Sequence, residues 1–82
     1  SLSDTEIAVE SHVHGSVWQI DIQPGTPVRV GDTLMVLESM KMEIELHAEH
    51  AGVVSRVLCE PGSQVMPGQK LLVLDTAGDT RA

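Results

Sequence analysis

Apolar and polar residues alternate strictly along residues 42–49 of the chain. The apolar members are separated by acidic residues and one histidine, in the order Met42, Glu43, Ile44, Glu45, Leu46, His47, Ala48 and Glu49. A period of two over eight residues predicts a strand with one buried face. The apolar run 34–37 lies just before it and predicts a second strand, so only a tight hairpin fits between the two.

Short runs rich in Val, Ile and Leu predict six further strands. The complete set of predicted strands covers residues 6–9, 12–22, 28–30, 33–39, 42–48, 52–59, 64–66 and 70–75. No stretch shows a 3.6-residue period, so no helix is predicted. Many short strands at close spacing in a small chain are typical of a small sandwich or a flattened barrel.

The chain contains an internal sequence repeat of two copies that align without a gap. Gly15 and Gly52 begin the two copies, and every matched pair has the same offset of 37 positions. The first copy contributes Gly15, Val17, Pro24, Gly25, Val28, Gly31, Leu34, Val36 and Leu37, which recur as Gly52, Val54, Pro61, Gly62, Val65, Gly68, Leu71, Val73 and Leu74. The repeat predicts an all-β fold with quasi-two-fold symmetry.

Each copy carries two predicted turns. Residues 23–26 and 60–63 place Pro and then Gly at the centre of the turn, which is the type II pattern. Gly31 and Gly68 mark the second turn of each copy. The hairpin between residues 39 and 42 falls between the two copies, so the symmetry predicts that the chain ends lie at the opposite end of the molecule.

Composition restricts the fold and the partners. The 82 residues form one predicted domain over 1–82, with a core of about 7–75 and flexible ends. With one Trp and no Phe or Tyr the core must be aliphatic, and a single Cys excludes an internal disulfide. A net charge of −7 argues against nucleic acid and anionic membrane surfaces as partners. No apolar run approaches the roughly 18 residues of a membrane span.

The predicted hairpin has unsuitable turn residues. Its central pair is Met40-Lys41, whereas such turns prefer Asn, Asp or Gly because one or both central residues need a positive φ. When residues violate a local turn preference in a sequence that otherwise agrees with its predicted fold, the violation indicates a functional role. The Lys41 amine could form an amide with a carboxylic-acid cofactor. It could also form a Schiff base, but that requires the neutral amine, which the neighbouring Glu38 and Glu43 disfavour. Covalent attachment fits better.

The segment Glu38-Ser39-Met40-Lys41-Met42 resembles the biotin-attachment motif of biotin carboxyl carrier domains in biotin-dependent carboxylases. The resemblance extends from about residue 7 to 75. It implies the biotinyl/lipoyl-like fold, a barrel-sandwich hybrid with a flattened barrel or sandwich of two four-stranded antiparallel sheets. It implies biotin attached covalently to Lys41, with Met40 and Met42 read by biotin protein ligase and Glu38 and Ser39 completing the motif.

The same resemblance implies that the domain is not catalytic alone and belongs to a ligase-class enzyme. It would shuttle carboxybiotin between biotin carboxylase and carboxyltransferase domains or subunits. The implied compartment is the cytoplasm, or the mitochondrial matrix in a eukaryote. Residues 15–18 and 57–59 are somewhat similar to carriers of the urea carboxylase and urea amidolyase type.

Two alternatives remain open. A lipoyl carrier of a 2-oxo acid dehydrogenase or glycine-cleavage complex would share the fold, but lipoyl domains usually carry Asp before the lysine and Ala after it. An unmodified lipoyl-like interaction module would not need Met-Lys-Met, and such modules are usually interrupted by a long helical hairpin that this chain lacks.

Other residues invite functional interpretations that we expect to be weaker. His12, His14, His47 and His50 form two pairs that could bind zinc only if they converged, so no metal site is predicted. Cys59 aligns with Ile22 and is predicted to be a small core residue. Trp18 aligns with Ser55, and we expect local packing in preference to a docking role. The acidic residues Glu43, Glu45 and Glu49 are predicted to line the outer face of one strand.

Overall fold

The computed structural model describes residues 4–78 as eight strands and one short 3₁₀ turn, Thr76–Gly78. The strands are β1 Glu6–Glu10, β2 Gly15–Ile20, β3 Pro27–Val28, β4 Thr33–Ser39, β5 Met42–His47, β6 Gly52–Val57, β7 Gln64–Val65 and β8 Lys70–Asp75. All eight predicted strands are present. Within the described range, no helix is long and apolar enough to cross a membrane.

The strands form two four-stranded antiparallel sheets. The order β1-β8-β6-β3 makes up one sheet, called here the terminal sheet because it holds the first and last strands. The order β5-β4-β2-β7 makes up the other, called the hairpin sheet because β4 and β5 form the central hairpin. The predicted all-β fold of two four-stranded sheets is therefore confirmed.

The core between the sheets is aliphatic, as the composition requires. Its fully buried side chains come mainly from β4 and β8, the equivalent strands of the two copies. They include Leu34, Met35, Leu37, Val54, Val65, Leu71, Leu72 and Leu74.

Backbone hydrogen bonds obey the symmetry of the repeat. The amide of Gly25 donates to the carbonyl of Val54 over 2.8 Å, and the amide of Gly62 donates to the carbonyl of Val17 over 2.7 Å. Both glycines have positive φ, at 95° and 89°, as the predicted type II turns require. The Pro-Gly turn of each copy is thus hydrogen-bonded to the other copy. The acceptor in both cases is the residue two positions after that copy's first glycine. The quasi-two-fold symmetry extends to individual hydrogen bonds.

The largest difference from the predicted strands concerns β2, which was expected over 12–22 and is observed at Gly15–Ile20. The Ser11 hydroxyl donates to the Val13 carbonyl over 2.8 Å and accepts from the Val13 amide over 3.1 Å. The Gly68 amide donates to the Ser11 carbonyl. These contacts hold the chain in a local turn before β2, and the turn also satisfies the buried hydroxyl of Ser11.

Residues Thr5 and Thr76 lie side by side at one end of the molecule. The backbone amide and the hydroxyl of Thr76 both donate to the Thr5 carbonyl, over 2.9 and 2.8 Å. Gly52 lies at the same end, because its backbone packs against the carbonyl of Asp75. The six residues of β5 span about 20 Å at ~3.4 Å per residue and lead from the hairpin towards Gly52. The hairpin and the Thr5–Thr76 contact are therefore at opposite ends, as predicted.

The flexibility of the ends outside the core of about 7–75 stays a prediction. Close to these ends, the Thr5 hydroxyl and the Ala77 amide each donate to the Asp75 carboxylate over 2.9 Å. Residues 1–3 and 79–82 lie outside the described residues.

Candidate functional site

The hairpin between β4 and β5 presents Lys41 at the tip of the molecule. Ser39 pairs with Met42, so only Met40 and Lys41 form the loop. Their φ angles are 53° and 66°. Two consecutive residues with positive φ define the type I′ hairpin turn, which normally selects Asn and Gly. Each such residue other than glycine or asparagine costs on the order of 1–3 kcal/mol. Met40-Lys41 therefore occupies a backbone geometry that local preference opposes.

All three residues at the tip are open to solvent. Met40 is 91% exposed and Met42 is 65% exposed, and Lys41 is exposed as well. Met42 belongs to the apolar set of β5, but it lies beyond the end of the core. The apolar surface of both methionines is therefore available to a partner, and it flanks the lysine on both sides.

The base of the hairpin is fixed to the segment before β2. The Ser39 hydroxyl donates to the His14 carbonyl over 2.8 Å. Next to it, Gly15 packs so closely that a Cβ there would overlap the carbonyl oxygen of Glu38. Sequence reasoning missed both contacts, although the repeated glycine at positions 15 and 52 was a signal of close backbone approach. These contacts orient the strand that leads into the turn.

Two carboxylates stand opposite each other just below the tip. Glu38 of β4 pairs directly with Glu43 of β5, and both side chains are exposed. Like charges in directly opposite positions destabilise a sheet. The structure shows no hydrogen bond or ion pair to either carboxylate from residues 4–78. The equivalent pair at the other end is Glu6 and Asp75, where the Ser55 hydroxyl donates to Glu6 over 2.7 Å.

The exposure of Lys41 favours an amide over a Schiff base as the product of its amine. Schiff-base lysines require desolvated surroundings or cationic neighbours, and this lysine has solvent around it and two glutamates near the base of its turn. Amide formation needs only access, because an external enzyme can supply the activated acyl group. The geometry is therefore suited to attachment of a carboxylic-acid cofactor through an amide.

A cleft of about 220 Å³ lies between the edge strands β1 and β5. Its lining includes Val9, Leu46 and three of the four histidines, namely His12, His47 and His50. The His47 ring lies 3.0 Å from the Glu45 carboxylate. Within residues 4–78 no group of three or more His, Cys, Asp or Glu side chains is arranged to hold a metal ion.

Cys59 is partly buried, whereas Trp18 is exposed. Cys59 packs against the core as predicted, with its thiol 3.7 Å from the Leu71 carbonyl. Burial raises the pKa of the Cys59 thiol, so little of it is thiolate at neutral pH. Trp18 was expected to pack locally. It is exposed, on the face opposite to that of the buried Val17, and it lies where the register between β2 and β4 shifts.

Comparison with known proteins adds a family match over residues 6–74, to the biotin/lipoyl family described as "Biotin-requiring enzyme". A "Biotin/lipoyl attachment protein" of Bacillus subtilis is 32% identical over 71 residues, covering 87% of this chain and 97% of that protein. A "Putative urea carboxylase" of Emericella nidulans is also 32% identical, over 77 residues that cover 89% of this chain and 6% of that protein.

Solved structures give the same result. The chain superimposes on a single-chain, multi-domain long-chain acyl-CoA carboxylase with a TM-score of 0.86 and 36% identity, covering all of this chain and 8% of that one. The urea carboxylase of Kluyveromyces lactis gives a TM-score of 0.84 and 27% identity over 90% of this chain and 6% of that one. The chain therefore spans only a small part of the carboxylases that it resembles.

Proposed function

Because the chain belongs to the biotin/lipoyl family of biotin-requiring enzymes, we propose that it is a covalent biotin carrier whose attachment site is Lys41. The observation that carries the proposal is the hairpin tip, where two residues with positive φ present one lysine between two exposed methionines. A surface lysine with no function would not require a strained turn.

Attachment joins the Lys41 Nζ to the carboxyl carbon of biotin as an amide. The ammonium group gives up two protons, and one carboxyl oxygen leaves with the activating group that biotin protein ligase supplies from ATP. The amide has no charge, so the domain changes from −7 to about −8 on modification. The exposed position of Lys41 leaves the amine open to the ligase from outside.

Met40 and Met42 are the residues by which the ligase would distinguish Lys41 from Lys70, the other lysine of the chain. Full burial of a methionine side chain is worth about 1.5–3 kcal/mol. Two exposed methionines can therefore supply binding energy to a ligase that covers them. Lys70, which begins β8, has Gln69 and Leu71 as neighbours. Ser39 contributes by fixing the base of the hairpin through His14.

The carrier role places the catalysis elsewhere. Bound biotin supplies a nitrogen that accepts a carboxyl group at a biotin carboxylase site and releases it at a carboxyltransferase site. This chain holds the attachment point at the tip of a hairpin whose base is fixed by the Ser39–His14 hydrogen bond. Joining the carrier to its partners makes both encounters effectively intramolecular, which raises the local concentration of the reacting group. The carboxyltransferase selects the acceptor substrate.

The lipoyl carrier is the main competing function, because family membership includes both cofactors. The exposed Met-Lys-Met tip favours biotin. Carboxylases among the relatives support this choice, including the alpha chain of human mitochondrial propionyl-CoA carboxylase, which is 33% identical over 72 residues.

We expect biotin to be attached when the domain is expressed with biotin protein ligase and lipoate ligase together. Intact-mass spectrometry should show the mass of one biotin amide, and a streptavidin blot should detect the chain. Parallel expressions with each ligase alone give the reference masses. A chain that carries lipoate, or that stays unmodified beside a biotinylated reference carrier, would contradict the proposal.

Replacing Met40 by Asn should separate turn stability from recognition. Asn tolerates positive φ better than Met, so Met40→Asn should raise the free energy of unfolding by about 0.5–1 kcal/mol. The same change removes an apolar ligase contact, so the rate of biotinylation should fall about tenfold. Urea denaturation and time-resolved mass spectrometry measure the two effects. A stabilised variant that is biotinylated at the original rate would show that the ligase does not read Met40.

A further inference from the structure

The four methionines of the chain differ in their access to solvent. Met35 lies in the core and is completely buried, whereas Met66 is 59% exposed. Met40 and Met42, on either side of Lys41, are more exposed than Met66. A small oxidant dissolved in water can therefore reach the three surface methionines, while the core packing shields Met35.

A polar group at the hairpin tip is compatible with the fold. Among residues 4–78, the core and the side chains packed against it include neither Met40 nor Met42. The position equivalent to Met42 in the other copy, 37 residues away, holds the polar Thr5. Oxidation of these two methionines should therefore leave the sheets intact, in contrast to oxidation of a buried methionine.

Cys59 is the other oxidisable sulfur of the described chain. Its thiol is partly buried, 3.7 Å from the Leu71 carbonyl, and burial raises the pKa of the thiol. Because a peroxide attacks the thiolate and not the thiol, burial slows the oxidation of Cys59 at neutral pH. The most exposed oxidisable side chains are thus the two that flank Lys41.

We propose that Met40 and Met42 are a reversible oxidation site that controls biotin attachment to Lys41. The inference rests on the proposed carrier function, in which the ligase reads these two side chains. A hydroperoxide transfers one oxygen atom to the Sδ of either methionine. The sulfur loses two electrons, the O–O bond breaks, and the reduced oxidant leaves as water or an alcohol. The product is a sulfoxide, which is polar where the thioether was apolar.

The sulfoxide opposes the contact that the ligase makes with the tip. Its oxygen accepts hydrogen bonds from water, and a ligase that covers the tip must remove this water without a matching donor in place. Met40 and Met42 both adjoin Lys41 in sequence, so a sulfoxide on either side lies close to the reacting amine. One sulfoxide at the tip should lower the rate of biotinylation about tenfold.

Reduction reverses the change, and biotin that is already attached stays in place. A methionine sulfoxide reductase restores the thioether with two thiols, which become a disulfide while the oxygen leaves as water. Oxidation of the neighbouring sulfur atoms does not break the amide at Lys41. The site therefore controls how much of the unmodified chain gains biotin.

The test lets the ligase choose among partly oxidised molecules. The unmodified chain is treated with hydrogen peroxide, catalase then removes the peroxide, and dithiothreitol returns any sulfenic acid or disulfide at Cys59 to the thiol. Biotin protein ligase is supplied until a small fraction of the chains carries biotin. Streptavidin separates this fraction from the rest, and peptide mapping locates the sulfoxides in both.

We expect sulfoxide at positions 40 and 42 to be about tenfold rarer in the biotinylated fraction than in the remainder. Met66 is the internal control, because it is exposed but follows the edge strand β7, two strands away from β4 in the hairpin sheet. Sulfoxide at position 66 should be equally frequent in both fractions. Reductases for both sulfoxide epimers, applied before the ligase, should restore the rate to within twofold of the untreated chain.

The double variant Met40→Leu, Met42→Leu removes the two sulfur atoms. Leucine is apolar and similar in volume to methionine, but a peroxide does not oxidise it. The rate of this variant is compared only with its own rate before peroxide, and the two should agree within twofold. Met66→Leu is the matched control and should lose as much of its rate after peroxide as the original chain. Urea denaturation of the original chain should give the same free energy of unfolding before and after oxidation.

Three results would overturn the inference. Equal sulfoxide at positions 40 and 42 in both fractions would show that the ligase accepts the oxidised tip. Depletion at Met66 as strong as at the tip would show that the effect is not confined to the neighbours of Lys41. A double leucine variant that loses its rate after peroxide as the original chain does would assign the effect to another residue. All three leave the carrier function standing, whereas failure of the untreated chain to accept biotin would refute that function itself.

Discussion

Lys41→Arg should abolish biotin attachment and leave the domain folded. Arginine keeps the charge and nearly the length of lysine, but its guanidinium stays protonated and cannot attack an activated acyl group. Residue 41 is exposed and makes no described ion pair, so the free energy of unfolding should change by less than about 0.5 kcal/mol. Intact mass after expression with biotin protein ligase should show the unmodified chain only.

The chain supplies its own control for this experiment. Lys41 and Lys70 are its two lysines, and both are exposed. Lys70→Arg should be biotinylated at the original rate. Biotin found on Lys41→Arg, or lost from Lys70→Arg, would place the attachment site at the start of β8 and refute the assignment to the hairpin.

Gly15→Ala should cause the largest loss of stability of any single methyl addition at the lysine end. The new Cβ would overlap the Glu38 carbonyl and would also contact the backbone of Ser39. Backbone cannot move away as a flexible side chain can, so we expect a loss of roughly 2–4 kcal/mol in the free energy of unfolding. The hairpin base should shift with β4, and the biotinylation rate per folded molecule should fall.

Gly52→Ala is the symmetric control. Its Cβ would lie 2.6 Å from the Asp75 carbonyl oxygen, at the opposite end. The loss of stability should be comparable, whereas biotinylation of the folded fraction should be unchanged. Urea denaturation gives the stability, and pulse biotinylation of the folded fraction gives the rate. Equal loss of biotinylation in both variants would mean that global stability, not the hairpin base, determines the effect.

The fold could be predicted from the sequence because its determinants are local and repeated. Pro24-Gly25 and Pro61-Gly62 specify type II turns on their own, and the ungapped repeat specifies that the turns are related by symmetry. The hairpin was predicted from the apolar patterns on either side of it, which leave room only for a tight turn. Met40 and Lys41 are poor turn residues, and the structure confirms the positive φ of both.

Contacts between distant segments could not be predicted in the same way. The Ser39–His14 hydrogen bond joins residues 25 positions apart, and no pattern along the chain indicates it. The register shift between Val17 and Gln19 depends on how β2 pairs with β4, and no period along the sequence indicates such a bulge. The hairpin that presents Lys41 was therefore predictable, whereas its support and the surface around it were not.

The contact between Thr5 and Thr76 has a mechanical consequence. Tension applied through these two residues pulls β1 and β8 apart from their shared end, so their hydrogen bonds break one after another instead of all together. The load falls first on the terminal sheet. The Met40–Lys41 turn belongs to the other sheet and lies outside this initial load path, so moderate tension on the chain ends leaves its geometry unchanged.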